Sequence, residues 1–195
     1  MTLRRNPRRT KRREATVVAE PLSPRRKWRA ITIATLVLVP AFWSMLAGLI
    51  SLAADEAEGG PDPAAALALG FALIPFVFIV LAFLSWHPGA PMAVVKAMGL
   101  SLLVGGLVSA LAADAVTGLV AGVGAGGVVA LRSDAAHHWQ WRAAAVAFAA
   151  AYAFVLVRTV GNLVLLPAPV FPFTAVGIAD HLREWHLERQ PAEQA

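Results

Sequence analysis

PMAVVKAMGLSLLVGGLVSALAADAVTGLVAGVGAGGVVALR, residues 91–132, is the stretch whose reading decides the fold. Between Lys96 and Arg132 its sole ionisable side chain is Asp114, almost midway in an otherwise apolar or small-residue run. At ~1.5 Å of rise per helical residue, either half is about long enough to cross a ~30 Å hydrocarbon layer. The pattern predicts a helical hairpin in a membrane, with Asp114 at the turn. Small residues recur at every fourth position: Ala97, Ser101, Gly105 and Ser109 on the first arm, Gly118, Gly122 and Gly126 on the second. In water each of those glycines would cost a helix roughly 1 kcal/mol relative to alanine. In lipid the unsatisfied backbone of a non-helical form is worse, and missing side chains let two helices approach closely. Ser101, Gly105, Ser109, Gly118, Gly122 and Gly126 are therefore the expected helix-packing residues.

The same glycines invite a second reading. Gly122, Gly124 and Gly127 match GxGxxG, the phosphate-cradling turn of dinucleotide-binding folds. That turn needs a strand before it, a soluble helix after it and an acid about twenty residues on. Here the apolar run before Gly122 already lasts as long as a membrane span, and no acid lies between Asp134 and Asp180. The packing reading wins, and no cofactor is expected.

Composition agrees. Of 195 residues 58% are hydrophobic and only 15% charged, against about a quarter in an ordinary soluble domain. Mean hydropathy is +0.64. Cysteine is absent, which excludes disulfides, thiolate metal sites and thiol nucleophiles. Fourteen arginines against three lysines, with abundant alanine, suggest a high-GC bacterial coding bias. The net charge of +5 is unevenly spread: residues 1–29 hold eleven Lys/Arg and two Glu, so the remainder is acidic. A basic stretch just before a membrane span sets orientation and touches anionic lipid, which is favoured here over a nucleic-acid partner.

Outward from the hairpin, five spans are expected, at about 30–53, 64–86, 92–112, 115–131 and 143–166. Residues 1–29, with Pro7, Pro21 and Pro24 and no sustained apolar period, read as a disordered basic arm. Within it Arg25, Arg26, Lys27 and Arg29 are the expected contacts with anionic head groups. Pro40 and Pro75 interrupt the first two spans, as membrane helices tolerate. Trp28, Trp139 and Trp141 suit the interfacial belt. His137 and His138 are adjacent and His181 and His186 five apart, neither a spacing that puts two ligands on one helix face, so no metal site is expected. After Pro167, Pro169 and Pro172, the apolar positions Ala175, Ile178, Leu182 and Trp185 recur at helical spacing. Residues 167–195 thus read as a proline-rich turn and a short amphipathic helix, lying on the membrane surface or on the bundle.

Basic residues fall in the arm and in the 85–96 and 132–142 connections, whereas the turns at 55–62 and 114 carry none. The positive-inside rule then puts the N-terminus in the cytoplasm and, with five spans, the C-terminus outside. A sixth span over 159–179 would return the C-terminus inside. The expected class is all-α, a multi-pass transmembrane helical bundle in a bacterial plasma membrane.

Function is less legible. There is no Walker loop, HExxH, GxSxG or carboxylate pair within a span, so an enzyme is not expected. Two classes remain: a packing, assembly or accessory component of a membrane complex, with a membrane-protein partner or self-association, and a subunit of a small-solute transporter or channel. Arg158, in the fifth span, lies about 24 Å along the helix from Arg142. It either snorkels to the interface or meets a partner. Asn162, one turn on, and Asp114, at the same depth, are the candidates, making Asp114, Arg158 and Asn162 the expected polar cluster.

Overall fold

The structure is a computed structural model and describes residues 22–54, 62–132 and 139–168, with positions 173, 174, 177, 178, 181 and 185 beyond them. Every regular element among these residues is helical: α1 (Pro24–Ala53), α2 (Pro63–Leu84), α3 (Ala90–Ala112), α4 (Ala115–Ala130), α5 (Trp139–Val160) and a 3-10 turn at Gly161–Leu165. The expected all-α bundle is what forms. Helices α1, α2 and α3 and the stretch Arg142–Leu165 are each long and apolar enough to cross a membrane. Helix α4 has 16 residues, about 24 Å of rise, and is shorter than the other four.

Proline starts three of these helices. It occupies one of the first two positions of α1, α2 and α3, where its missing N–H has no intrahelical partner to lose. That rule moves the start of α1 to Pro24, six residues ahead of the expected boundary, so 24–29 are helical. Residues 1–21 of the expected arm lie outside the described residues. The early start has a consequence. Positions 27, 30, 31, 34, 38, 41, 42 and 45 are all buried and follow a helical period, so Lys27 falls on the inward stripe of α1. Lys27 is 2% exposed and is not the head-group contact expected of it, whereas Arg25, Arg26 and Arg29 are exposed.

Two helix pairs pack closely, each through small residues. Between α1 and α2, a Cβ on Gly70 would lie 2.7 Å from the Ala41 carbonyl oxygen, and one on Gly48 would lie 3.0 Å from that of Pro63. Ser44 Oγ donates to the Ala66 carbonyl across the same seam at 2.6 Å. Between α3 and α4, a Cβ on Gly122 would lie 2.5 Å from the Ser101 carbonyl oxygen and 3.0 Å from Gly105 Cα. A Cβ on Gly105 would lie 3.1 Å from the Gly118 carbonyl oxygen, and one on Gly126 would lie 2.8 Å from that of Ala97. The backbones themselves are in contact there. Thirteen of the sixteen α4 residues are buried, and two aromatic rings occupy the volume its glycines leave: Phe78 of α2 against Gly126, and Phe173 against Gly127.

The chain therefore alternates between two ends. The basic end holds the start of α1, the α2–α3 turn and the α4–α5 connection; the distal end holds the α3–α4 turn and the close of α5. After the 3-10 turn the chain does not stay at the distal end. Val164, Leu165 and Ala168 are fully buried, Phe173 reaches the last turn of α4, and a Cβ on Gly177 would lie 2.6 Å from Ile31 and 3.2 Å from Trp28. Gly177 thus sits beside the start of α1, at the basic end. Among the described residues the path from Gly161 to Gly177 runs from the distal end toward the basic end, as the alternative return over 159–179 expects. The buried face of the segment is Phe173 and Gly177. Ile178 and Trp185, from the expected apolar stripe, are about half exposed, and Ala175 and Leu182 lie outside the described residues.

Two outcomes follow. Gly122→Ala should lower thermal stability in detergent by ~1–3 kcal/mol through overpacking, because its Cβ meets backbone that cannot rotate away. Gly99→Ala, where a Cβ meets nothing within 4 Å, should be neutral or gain up to ~1 kcal/mol of helix propensity. Equal effects of the two would remove the close-contact account. Reporter fusions at residue 20 and at the C-terminus should lie on one side of the membrane, opposite a fusion at residue 57; termini on opposite sides would contradict the packing of Gly177.

Candidate functional site

The polar groups of the bundle are few. Among the described residues the buried polar side chains are Lys27, Ser85 and Thr117. Thr117 belongs to the distal turn. Ala113 there takes a left-handed conformation (φ 51°), closing α3, and Asp114 opens α4 from an extended one. The Asp114 carboxylate accepts from the Thr117 N–H at 2.7 Å, from the Val116 N–H at 3.4 Å and from the Thr117 hydroxyl. This is a helix N-cap, which satisfies donors that the first turn leaves free. Burial pushes the Asp114 carboxyl up, but the hydrogen bonds from Thr117 and Val116, with the Arg158 charge, outweigh it and leave the pKa below the ordinary aspartate value.

Arg158 is exposed near the end of α5, its guanidinium 5.2 Å from the centre of the Phe154 ring. It acts on Asp114 through space, but no ion pair joins the two. Asn162 is also exposed and does not bond to Arg158. The physical reason lies at Gly161. Its positive φ of 64° ends the α-helix between them, so the four-residue spacing no longer places both on one face. The expected cluster of Asp114, Arg158 and Asn162 is a capped turn with a neighbouring cation.

The expected packing residues have a second surface. A groove of about 470 Å³ lies between α2, α3 and the first half of α4. Phe71, Ile74 and Phe78 of α2 face Met98 and Leu102 of α3 across it, and Gly105, Gly118 and Gly122 form its floor. Its polar side chains are Ser101 and Ser109. Ser109 Oγ is within 3.3 Å of the Asp114 carbonyl, to which it donates. The volume lies in the ~300–1,000 Å³ range of small-molecule sites, and the lining suits an apolar occupant.

At the basic end Ser85, fully buried, receives the Arg132 N–H on its Oγ at 3.0 Å and so ties the close of α2 to that of α4. Trp86, in a left-handed conformation, lies under the Arg26 guanidinium at 4.2 Å. Sequence reading missed both ties; serine and tryptophan at a loop carry no signal of their partner. Among the described residues no group of three His, Asp or Glu is placed to hold a metal ion. His137, His138 and His186 lie outside them.

Compared with family models, curated proteins and solved structures, the chain gives no match.

The cap sets a pH dependence. Because the folded pKa of Asp114 is depressed, its stabilisation is complete above the unfolded value of ~3.9 and is lost as pH falls through the folded one. Asp114→Ala should cost about 1 kcal/mol at neutral pH, and Asp114→Asn, still a capping residue, less. In thermal melts both variants should lack the part of the acid loss below pH ~4 that the wild type owes to this carboxylate. An unchanged acid limb in both would show that the cap is not its source.

Proposed function

We propose that the protein is a packing or assembly component of a membrane complex, seated in a bacterial plasma membrane with its basic end in the cytoplasm. The observation that carries this reading is the state of α4. A translocation path is built from polar groups at depth and helices that leave space between them. Helix α4, the innermost of the five, is closed by backbone contact on the α3 side and by Phe78 and Phe173 elsewhere. Its one buried hydroxyl, on Thr117, is engaged by Asp114. Small residues here serve proximity rather than passage. The partner in this reading is another membrane protein or a second copy, the bilayer is the solvent, and no catalytic chemistry or nucleic acid is involved.

The second reading, a subunit of a transporter or channel, draws on the α2–α3 groove. That groove favours an apolar molecule arriving from the bilayer over a hydrated solute.

Native mass spectrometry of the full chain, purified in mild detergent, separates the two. A stoichiometric membrane-protein partner or a homo-oligomer is the expected result. A monomer that moves a solute across proteoliposome membranes would replace the assembly reading with the transport one.

A further inference from the structure

The groove between α2, α3 and α4 contains a polar group that the bundle does not use. Its two serines differ. Ser109 donates to the Asp114 carbonyl, whereas the Ser101 hydroxyl, part-buried in the groove wall, forms no hydrogen bond among the described residues. It does not take even the carbonyl one turn back, which commonly accepts from a serine within a helix. Ser101 is the twelfth of the 23 residues of α3, so about 16 Å of helix separates it from either end. In a span that crosses a ~30 Å hydrocarbon layer this is mid-depth, where water is not there to bond the hydroxyl. The facing wall adds a second polar feature. Pro75 has no N–H, so the Phe71 carbonyl lacks its usual donor from the next turn.

Depth selects the occupant. A phospholipid or fatty acid keeps its charged head at the interface, because a charge at the bilayer centre costs roughly 2.5–3.5 kcal/mol even on insertion scales. Only its methylene tail would reach Ser101, and a tail offers the hydroxyl no acceptor. The molecule that fits carries a neutral acceptor to mid-depth on an apolar body. Shape narrows it further. The rings of Phe71 and Phe78 and the Met98 thioether favour a flat ring, and the floor of Gly105, Gly118 and Gly122 lets such a ring lie close to the backbone. We propose that the groove seats the ring of a lipid-soluble quinone, with one ring carbonyl accepting from Ser101 Oγ. Phe71, Met98 and Leu102 in its lining are exposed, so the ligand enters without the bundle opening. Such a seat stands whether or not the bundle assembles with a partner.

Gly106 makes the groove testable. It belongs to the lining, yet a Cβ on it meets nothing within 4 Å, so a larger side chain there occupies the groove without displacing backbone. Gly99 is equally open but lies outside the lining.

The test uses the full chain in phosphatidylcholine nanodiscs, with ¹³C-methyl methionine and the Met98→Leu variant to identify the Met98 resonance. Decylubiquinone should shift the Met98 methyl saturably and leave Met92, exposed outside the groove, unmoved. Gly106→Leu should abolish the shift, while Gly99→Leu should keep it. Ser101→Ala, which removes a hydroxyl the fold does not bond, should weaken binding about three- to tenfold. Decylbenzene, a ring and tail without a carbonyl, should bind more weakly and be indifferent to Ser101→Ala. No saturable shift at Met98, or one that survives Gly106→Leu, would overturn the seat. Decylbenzene binding as tightly as decylubiquinone would overturn the quinone assignment. A homodimer that Gly106→Leu dissociates would put a second copy in the groove, overturning the seat while upholding the assembly reading.

Discussion

The approach of α3 to α4 is the constraint on which the rest of the bundle depends. In water two helices come together because apolar faces leave the solvent; in hydrocarbon that drive is absent, and packing and backbone satisfaction decide. Gly105, Gly118 and Gly122 bring the two backbones into direct contact, with the Ser101 carbonyl 2.5 Å from where a Gly122 Cβ would stand. Each glycine sacrifices helix propensity for proximity. The exchange is favourable only where leaving the helix exposes peptide groups to lipid.

A helix built in this way cannot finish its own surroundings. Stripped of side chains, α4 offers little volume, and at about 24 Å it is short for a free-standing span. Its neighbours supply what is missing. Phe78 covers Gly126, Phe173 covers Gly127, and α5 lies along another face with Ala153 and Val157 turned inward. The return of the chain after α5 is part of the same requirement. Phe173 belongs to a segment rich in proline, yet it is 1% exposed because the last turn of α4 has a hole that fits a ring.

These two levels differ in how far the sequence reveals them. The hairpin, its turn at Asp114 and the packing face were legible, since fourfold spacing of small residues and one acid amid an apolar run are local patterns. The start of α1 was hidden by charge: a basic run looks solvated, although Pro24 marks a first helical turn. Once that turn forms, the period of the helix alone carries Lys27 inward. The link between Arg158 and Asn162 failed for a backbone reason, the positive φ at Gly161, which a count of residue spacing does not contain. The path of the tail was ambiguous because three prolines argue against a span, while the holes that receive Phe173 and Gly177 lie more than forty residues away. Non-local shape has no local signature.

Charge completes the logic of the two ends. At the distal end the described acids are spent on the protein itself: Asp62 accepts the Ala64 N–H at 3.0 Å and caps α2, and Asp114 caps α4. Both are negative groups at positive helix ends, the arrangement the helix dipole favours. At the basic end the pairing is inverted, with Arg25, Arg26 and Lys27 in the first turn of α1 and Arg142 in that of α5. Cations at helix N-termini are tolerated where another phase supplies the anion, and for a membrane protein that phase is the head-group layer. Among the described residues, the acids of one end cap helices of their own chain, whereas the cations of the other stand at helix starts that carry no acid.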